Sequence, residues 1–141
     1  MPDLPLTGGC NCGAVRYEID APLLGAAYCH CSRCQRRSGS AASCSALTAP
    51  GSFRLLSGED ALTRWDSGDG RDRAFCGTCG SAMFNQDGER IIVRMGSFDD
   101  DPGVRPQARI FTAYAAAWES IPDDGLPRFD EGLPGFREDA S

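Results

Sequence analysis

Arg71-Asp72-Arg73-Ala74-Phe75-Cys76-Gly77-Thr78-Cys79-Gly80-Ser81-Ala82-Met83-Phe84 is the stretch that decides the fold. Residues 71–75 read as a strand entered from the turn Ser67-Gly68-Asp69-Gly70. They run into a Cys-Gly-Thr-Cys-Gly knuckle, and residues 81–84 leave it on a returning strand. The unit is therefore expected to be a hairpin with two thiols, and a metal, at its tip. Asp87-Gly88 then separates it from Arg90-Ile91-Ile92-Val93-Arg94-Met95, the strongest strand pattern in the chain. Phe84, Ile92 and Met95 are read as core. Upstream, Val15-Arg16-Tyr17-Glu18-Ile19 alternates with period two, and residues 41–47, 53–56 and 62–65 are further short strands between turns. Segments this short, joined by turns, predict a mainly β domain.

Later segments say less. Asp99-Asp100-Asp101-Pro102 lacks the EF-hand spacing and reads as a solvated loop. Residues 109–118 fit both alternation and helical spacing; the expectation is a strand that turns loop-like by Trp118. From Ile121 onward, Pro122, Pro127 and Pro134 with repeated glycines make a tail that needs side-chain anchors, for which Trp118, Phe129 and Phe136 are the candidates.

The chain has 141 residues, 41% apolar and 24% charged, which suits one domain with a real core. Its 14 basic residues are all arginine and face 20 acidic ones, for a net charge of −6. That balance argues against nucleic acid or an anionic membrane as partner, although the first fifty residues carry +1 and leave room for a local basic patch. No apolar run is long enough to span a membrane, and Met1-Pro2-Asp3-Leu4-Pro5 lacks the features of an export signal. A cytoplasmic location is the expectation, and homo-oligomerisation stays open. No nucleotide-binding glycine motif, H-E-x-x-H or forced Ser-His-Asp set occurs.

Eight cysteines in a chain of this kind point to metal ligation ahead of disulfides. Seven of them fall into Cys10-x-Cys12, Cys29-x-Cys31-x-x-Cys34 and Cys76-x-x-Cys79; Cys44 stands apart. Close spacing lets thiolates from one tight turn converge on an ion at about 2.3 Å, and two remote pairs complete a tetrahedron. Cys10, Cys12, Cys76 and Cys79 would then form a closed structural site, and Cys29, Cys31 and Cys34 a site with one open position. Spacing also permits other combinations. His30 lies between two candidate ligands, and neighbouring side chains on an extended segment point to opposite faces. It is thus a ligand, a catalytic or supporting group, or a packing residue. Cys44 is a buried apolar residue, a redox-responsive or supporting thiol, or a ligand.

The motifs G-G-C-N-C-G at 8–13, C-H-C-S-R-C-Q-R-R-S-G at 29–39, F-C-G-T-C-G-S at 75–81, M-G-S-F-D-D at 95–100 and W-E-S-I-P-D-D-G-L-P-R-F at 118–129 together resemble the glutathione-dependent formaldehyde-activating (GFA), or CENP-V/GFA, family. The likeness implies a mainly β, Mss4-like single domain over residues 4–134, with 135–141 as a tail. It also implies two zinc ions, a structural one on Cys10, Cys12, Cys76 and Cys79 and a catalytic one on Cys29, Cys31 and Cys34. The implied activity is that of a carbon–sulfur lyase joining a small thiol such as glutathione to formaldehyde or another small aldehyde. A zinc on three thiolates, formally −1 with one vacant position, can hold the substrate thiol as thiolate or polarise the aldehyde. In that scheme His30 is a candidate proton donor, and Arg36 and Arg37 are candidate partners for a substrate carboxylate. The competing readings are a zinc-stabilised binding module without turnover and a thiol-redox protein.

Overall fold

The computed structural model describes residues 2–133, so Phe136 lies outside the described residues. The described residues form two compact units, a larger one of residues 2–25 and 46–104 and a smaller one of residues 26–45 and 105–133.

The larger unit is antiparallel β structure. β1 (Leu6–Gly9) pairs with β2 (Arg16–Ile19), which pairs in turn with β5 (Phe53–Ser57). β6 (Leu62–Asp66), β7 (Asp72–Cys76), β8 (Ala82–Asp87) and β9 (Arg90–Arg94) form a meander, each pairing with the next. The hairpin expected at 71–84 is β7 and β8, and both cysteines lie at its turn. Tyr17, Ile19, Met83, Phe84 and Val93 are fully buried, with Phe53 stacked on Tyr17 and tilted against Phe84.

Two core assignments change. Ile92 and Met95 are only half-buried, and Val93 takes the buried position. The register explains it: Val93 pairs with Phe84 and shares its face, so alternation turns Ile92 the other way.

In the smaller unit, β10 (Arg109–Ile110) runs parallel to β3 (Gly25–Cys29), and β4 (Ser43–Leu47) is the other neighbour of β3. Between β3 and β4 lies one helix, α1 (Ser32–Ser38). The strand expected over 109–118 stops after two residues, because Phe111 takes a left-handed conformation with φ 56° and a 3-10 turn follows at Thr112–Tyr114. A non-glycine residue held there is strained and needs compensation. Arg109 N–H donates to the Pro127 carbonyl and Phe129 N–H to the Arg109 carbonyl, each at 2.9 Å, Phe111 N–H donates to the Glu131 carbonyl, and Thr112 N–H donates to the Phe129 carbonyl. Of the proposed anchors, Phe129 is half-buried, whereas Trp118 is 70% exposed and anchors nothing.

The M-G-S-F-D-D segment braces the cysteine-bearing first hairpin of the larger unit. Asp99 accepts from Thr7 Oγ1 at 2.7 Å and from the Arg16 guanidinium, and Tyr17 and Ser97 share a hydroxyl bond of 2.6 Å. Gly8 fits beneath them: a Cβ there would collide with the Tyr17 hydroxyl and the Ser97 carbonyl. Gly8→Ala is expected to destabilise by about 1–3 kcal/mol through overpacking, measurable by denaturant unfolding. The Arg16 guanidinium, followed by the Thr7 hydroxyl, holds the Asp99 carboxyl down to about 2. A carboxyl lowered in the folded state stabilises above its unfolded value near 4, and that contribution is lost as pH falls through 2. Asp99→Asn should therefore lower the unfolding free energy slightly at pH 6, by at most about 1 kcal/mol for so exposed a pair, and the difference from wild type should vanish as the pH falls below 2.

Candidate metal centres and the buried arginine cluster

Seven cysteines assemble into two groups, each built within one unit. In the larger unit the sulfurs of Cys10, Cys12, Cys76 and Cys79 all lie within 4.8 Å of one another. Two glycine-assisted turns make this possible. Gly13, at φ 83°, lets the chain after Cys12 turn so that Gly13 N–H reaches the Cys10 carbonyl at 3.1 Å. Gly80, at φ 82°, closes the second turn onto the Cys76 carbonyl at 2.8 Å. Ser81 ties the two turns together: its hydroxyl accepts from Asn11 N–H at 3.0 Å and lies 3.2 Å from the Cys79 sulfur. That hydroxyl, with backbone N–H groups of Ser81 and Cys12 behind it, pulls the Cys79 thiol down to about 5.

In the smaller unit the sulfurs of Cys29, Cys31 and Cys34 also lie within 4.8 Å of one another. Cys29 ends β3, and Cys31 is the N-cap of α1, its sulfur accepting from Cys34 N–H at 3.4 Å. One helical turn then sets Cys34 beside it. The helix ends at Gly39, left-handed with φ 65°, after Arg36 and Arg37 in its last turn. Arg36 is exposed and Arg37 half-buried. Among the described residues no His, Asp, Glu or further Cys joins this group, so His30 and Cys44 both stand outside it.

Both donor sets fit a soft, thiophilic cation. Contact with the Cys31 and Cys34 thiols, followed by burial, pushes the Cys29 thiol far up, because three crowded sulfurs cannot all ionise without a compensating positive charge. Four and three thiolates in this arrangement match closed and open zinc sites respectively.

His30 is 4% exposed and faces the other way. Its Nε2 accepts from Arg109 Nη1 at 3.2 Å, which leaves the ring proton on Nδ1. Burial first, then the Arg109 charge, depresses its pKa and keeps the ring neutral. Arg109 is 7% exposed, is held by Asp124 Oδ2 through Nε at 3.2 Å and Nη2 at 2.7 Å, and stacks over the Tyr28 ring at 4.1 Å. A cleft of about 230 Å³ runs along this face, with Tyr28, His30, Cys44, Arg109 and Glu119 in its lining. Gln35 Nε2 donates to the carbonyls of His30 at 2.8 Å and Tyr114 at 2.9 Å. Sequence reasoning missed Arg109, Asp124 and Gln35; the W-E-S-I-P-D-D motif contained Asp124 but gave no partner for it.

The sequence model described as glutathione-dependent formaldehyde-activating enzyme matches residues 5–114, and the chain belongs to this GFA (CENP-V/GFA) family. A crystal structure of a Rhodobacter sphaeroides protein is similar over 87% of this chain and 98% of its own, at 27% identity and a TM-score of 0.59. No helix among the described residues is long and apolar enough to cross a membrane.

The thiol environments predict an order of reactivity. In metal-stripped protein at pH 7, alkylation followed by mass spectrometry should label Cys79, a thiolate, well before Cys29, a protonated thiol. Ser81→Ala should slow labelling of Cys79 by about tenfold, as its pKa returns toward the free value near 8.5.

Proposed function

We propose that the protein is a zinc-dependent carbon–sulfur lyase of the GFA type, adding a small thiol such as glutathione to formaldehyde or a comparable aldehyde. The observation that carries this reading is the three-sulfur group of Cys29, Cys31 and Cys34, to which no fourth protein ligand is added among the described residues. A binding module without turnover would be favoured by a fourth ligand from His30 or Cys44, and neither is in the group. Family membership supports the reaction class.

In the reaction the thiol sulfur forms a bond to the carbonyl carbon, the C=O π bond opens, and the thiol proton ends on the oxygen, giving the hemithioacetal. Cys29, Cys31 and Cys34 would hold one zinc, and Cys10, Cys12, Cys76 and Cys79 a structural one within an Mss4-like domain. When bound at the first, zinc supplies a vacant position and a modest Lewis acidity that favours a substrate thiol's thiolate form. The chain's part is to present that position on a fixed scaffold: the cap at Cys31 and the first turn of α1 set two sulfurs, and Gln35 pins the preceding loop. Arg36 and Arg37, in the last turn of the helix that carries Cys34, would pair with a carboxylate of glutathione. The proton does not come from His30 Nε2, which accepts a bond from Arg109; solvent is the simpler source.

Exchange NMR of formaldehyde and glutathione tests the reading, with metal counted in every sample. Wild type should bind two zinc ions and interconvert the reactants faster than the spontaneous background. Cys31→Ser should keep one zinc and lose the acceleration, because serine preserves the helix cap while removing the soft ligand. No acceleration by two-zinc wild type would reject the reading. Arg36→Ala should raise KM for glutathione by about two- to fivefold, the range of an exposed ion pair, with zinc content unchanged.

A further inference from the structure

The cost of burying Arg109 calls for a physical reason. A guanidinium taken out of water is destabilising unless fully paired, and a well-packed apolar group in its place is commonly as stable or more so. Yet Arg109 is 7% exposed, with its charge balanced by Asp124 and its face covered by Tyr28. Its remaining side-chain bond goes to the ring of His30, the residue between two of the three clustered cysteines. Alternation does the rest. Tyr28 and His30 both face Arg109, so the Cys29 side chain between them leaves from the opposite side of the strand, as does the Ile110 side chain paired with it.

The backbone is locked on the same line. Tyr28 N–H donates to the Ala108 carbonyl and His30 N–H to the Ile110 carbonyl, each at 3.0 Å, and Arg109 itself is bracketed by Pro127 and Phe129. The segment carrying Asp124 thus reaches the cysteine strand through one guanidinium. We propose that Arg109 is a positioning residue for the three-cysteine site: anchored by Asp124, it fixes His30 on one face of the strand and thereby aims Cys29 and Cys31 from the other. The inference rests on the reading that these three thiols hold a metal, and it assigns a role to the 118–129 motif that the proposed chemistry does not use. Arg109 and Asp124 would touch neither metal nor substrate, as with groups that orient ligands in other metal sites from one shell out.

Cadmium-113 NMR of protein refilled with that metal, combined with withdrawal of the metal by a chelator, tests it without recourse to activity. Wild type should show two signals, one for each cysteine group; a single bound ion per chain would overturn both the two-metal reading and this one, before any variant is made. Arg109→Lys cannot satisfy Asp124 and His30 together, since lysine lacks the planar fork, and Asp124→Asn weakens the anchor without changing its shape. Each should shift or broaden the three-sulfur signal and speed metal loss from that site about 10–100-fold, the usual effect of losing an orienting group. The four-sulfur signal should stay in place and serves as the internal check on folding. His30→Leu should have the same effect as Arg109→Lys, and the double variant should be no worse than either alone, because one pathway carries both. Unchanged three-sulfur signals, additive losses in the double variant, or equal loosening of both sites would overturn the proposal.

Discussion

Mutual repulsion among crowded sulfurs is the constraint around which this chain is organised. Seven thiols are brought into two groups whose sulfurs lie within 4.8 Å of one another. Such crowding is tolerated while most of the thiols keep their protons, and becomes strongly favourable when a cation replaces them. The surrounding structure is the apparatus for bringing this about: two tight turns closed by glycine in one unit, a strand end and a helix cap in the other. Hydrogen bonds to sulfur complete it, from Val15 N–H to Cys10 and from Cys34 N–H to Cys31.

The sulfur groups were legible in the sequence because ligand spacing is a local property. Cys76-x-x-Cys79 and Cys29-x-Cys31-x-x-Cys34 announce turns whose size the metal dictates, whatever the rest of the chain does. The strands around them were legible for a related reason, since the period-two alternation of Arg16–Ile19 and the β-branched run of Arg90–Arg94 are visible without knowledge of their partners. What alternation cannot say is which of its two faces is covered. That is why the buried position falls to Val93 and not to Ile92: only the pairing of Val93 with Phe84 decides it.

Other features had no local signature. The helix α1 is Ser-Arg-Cys-Gln-Arg-Arg-Ser, with no buried residue and therefore no apolar period to read; its marks are a cysteine cap and the glycine that ends it. β3 is built from glycine and alanines up to Tyr28 and Cys29, too small and bland to resemble a strand. Arg109 and Asp124 lie fifteen residues apart and are joined by a loop conformation, so their pairing with His30 is a tertiary fact. Trp118 shows the opposite failure, since an aromatic in a proline-rich tail looks like an anchor and stands in solvent.

The two sulfur groups also differ in how much chain they enclose. Cys12 and Cys76 meet across 64 residues, whereas Cys29 and Cys34 are separated by one short turn. The entropy of closing a loop grows with the logarithm of its length. An ion in the four-sulfur group therefore acts on the unfolded ensemble as a long-range cross-link does, removing conformations the free chain would otherwise explore. One in the three-sulfur group encloses almost nothing, and its occupancy is nearly neutral to the chain's topology. An ion at the first group would constrain the polymer, and one at the second would come and go with little effect on it.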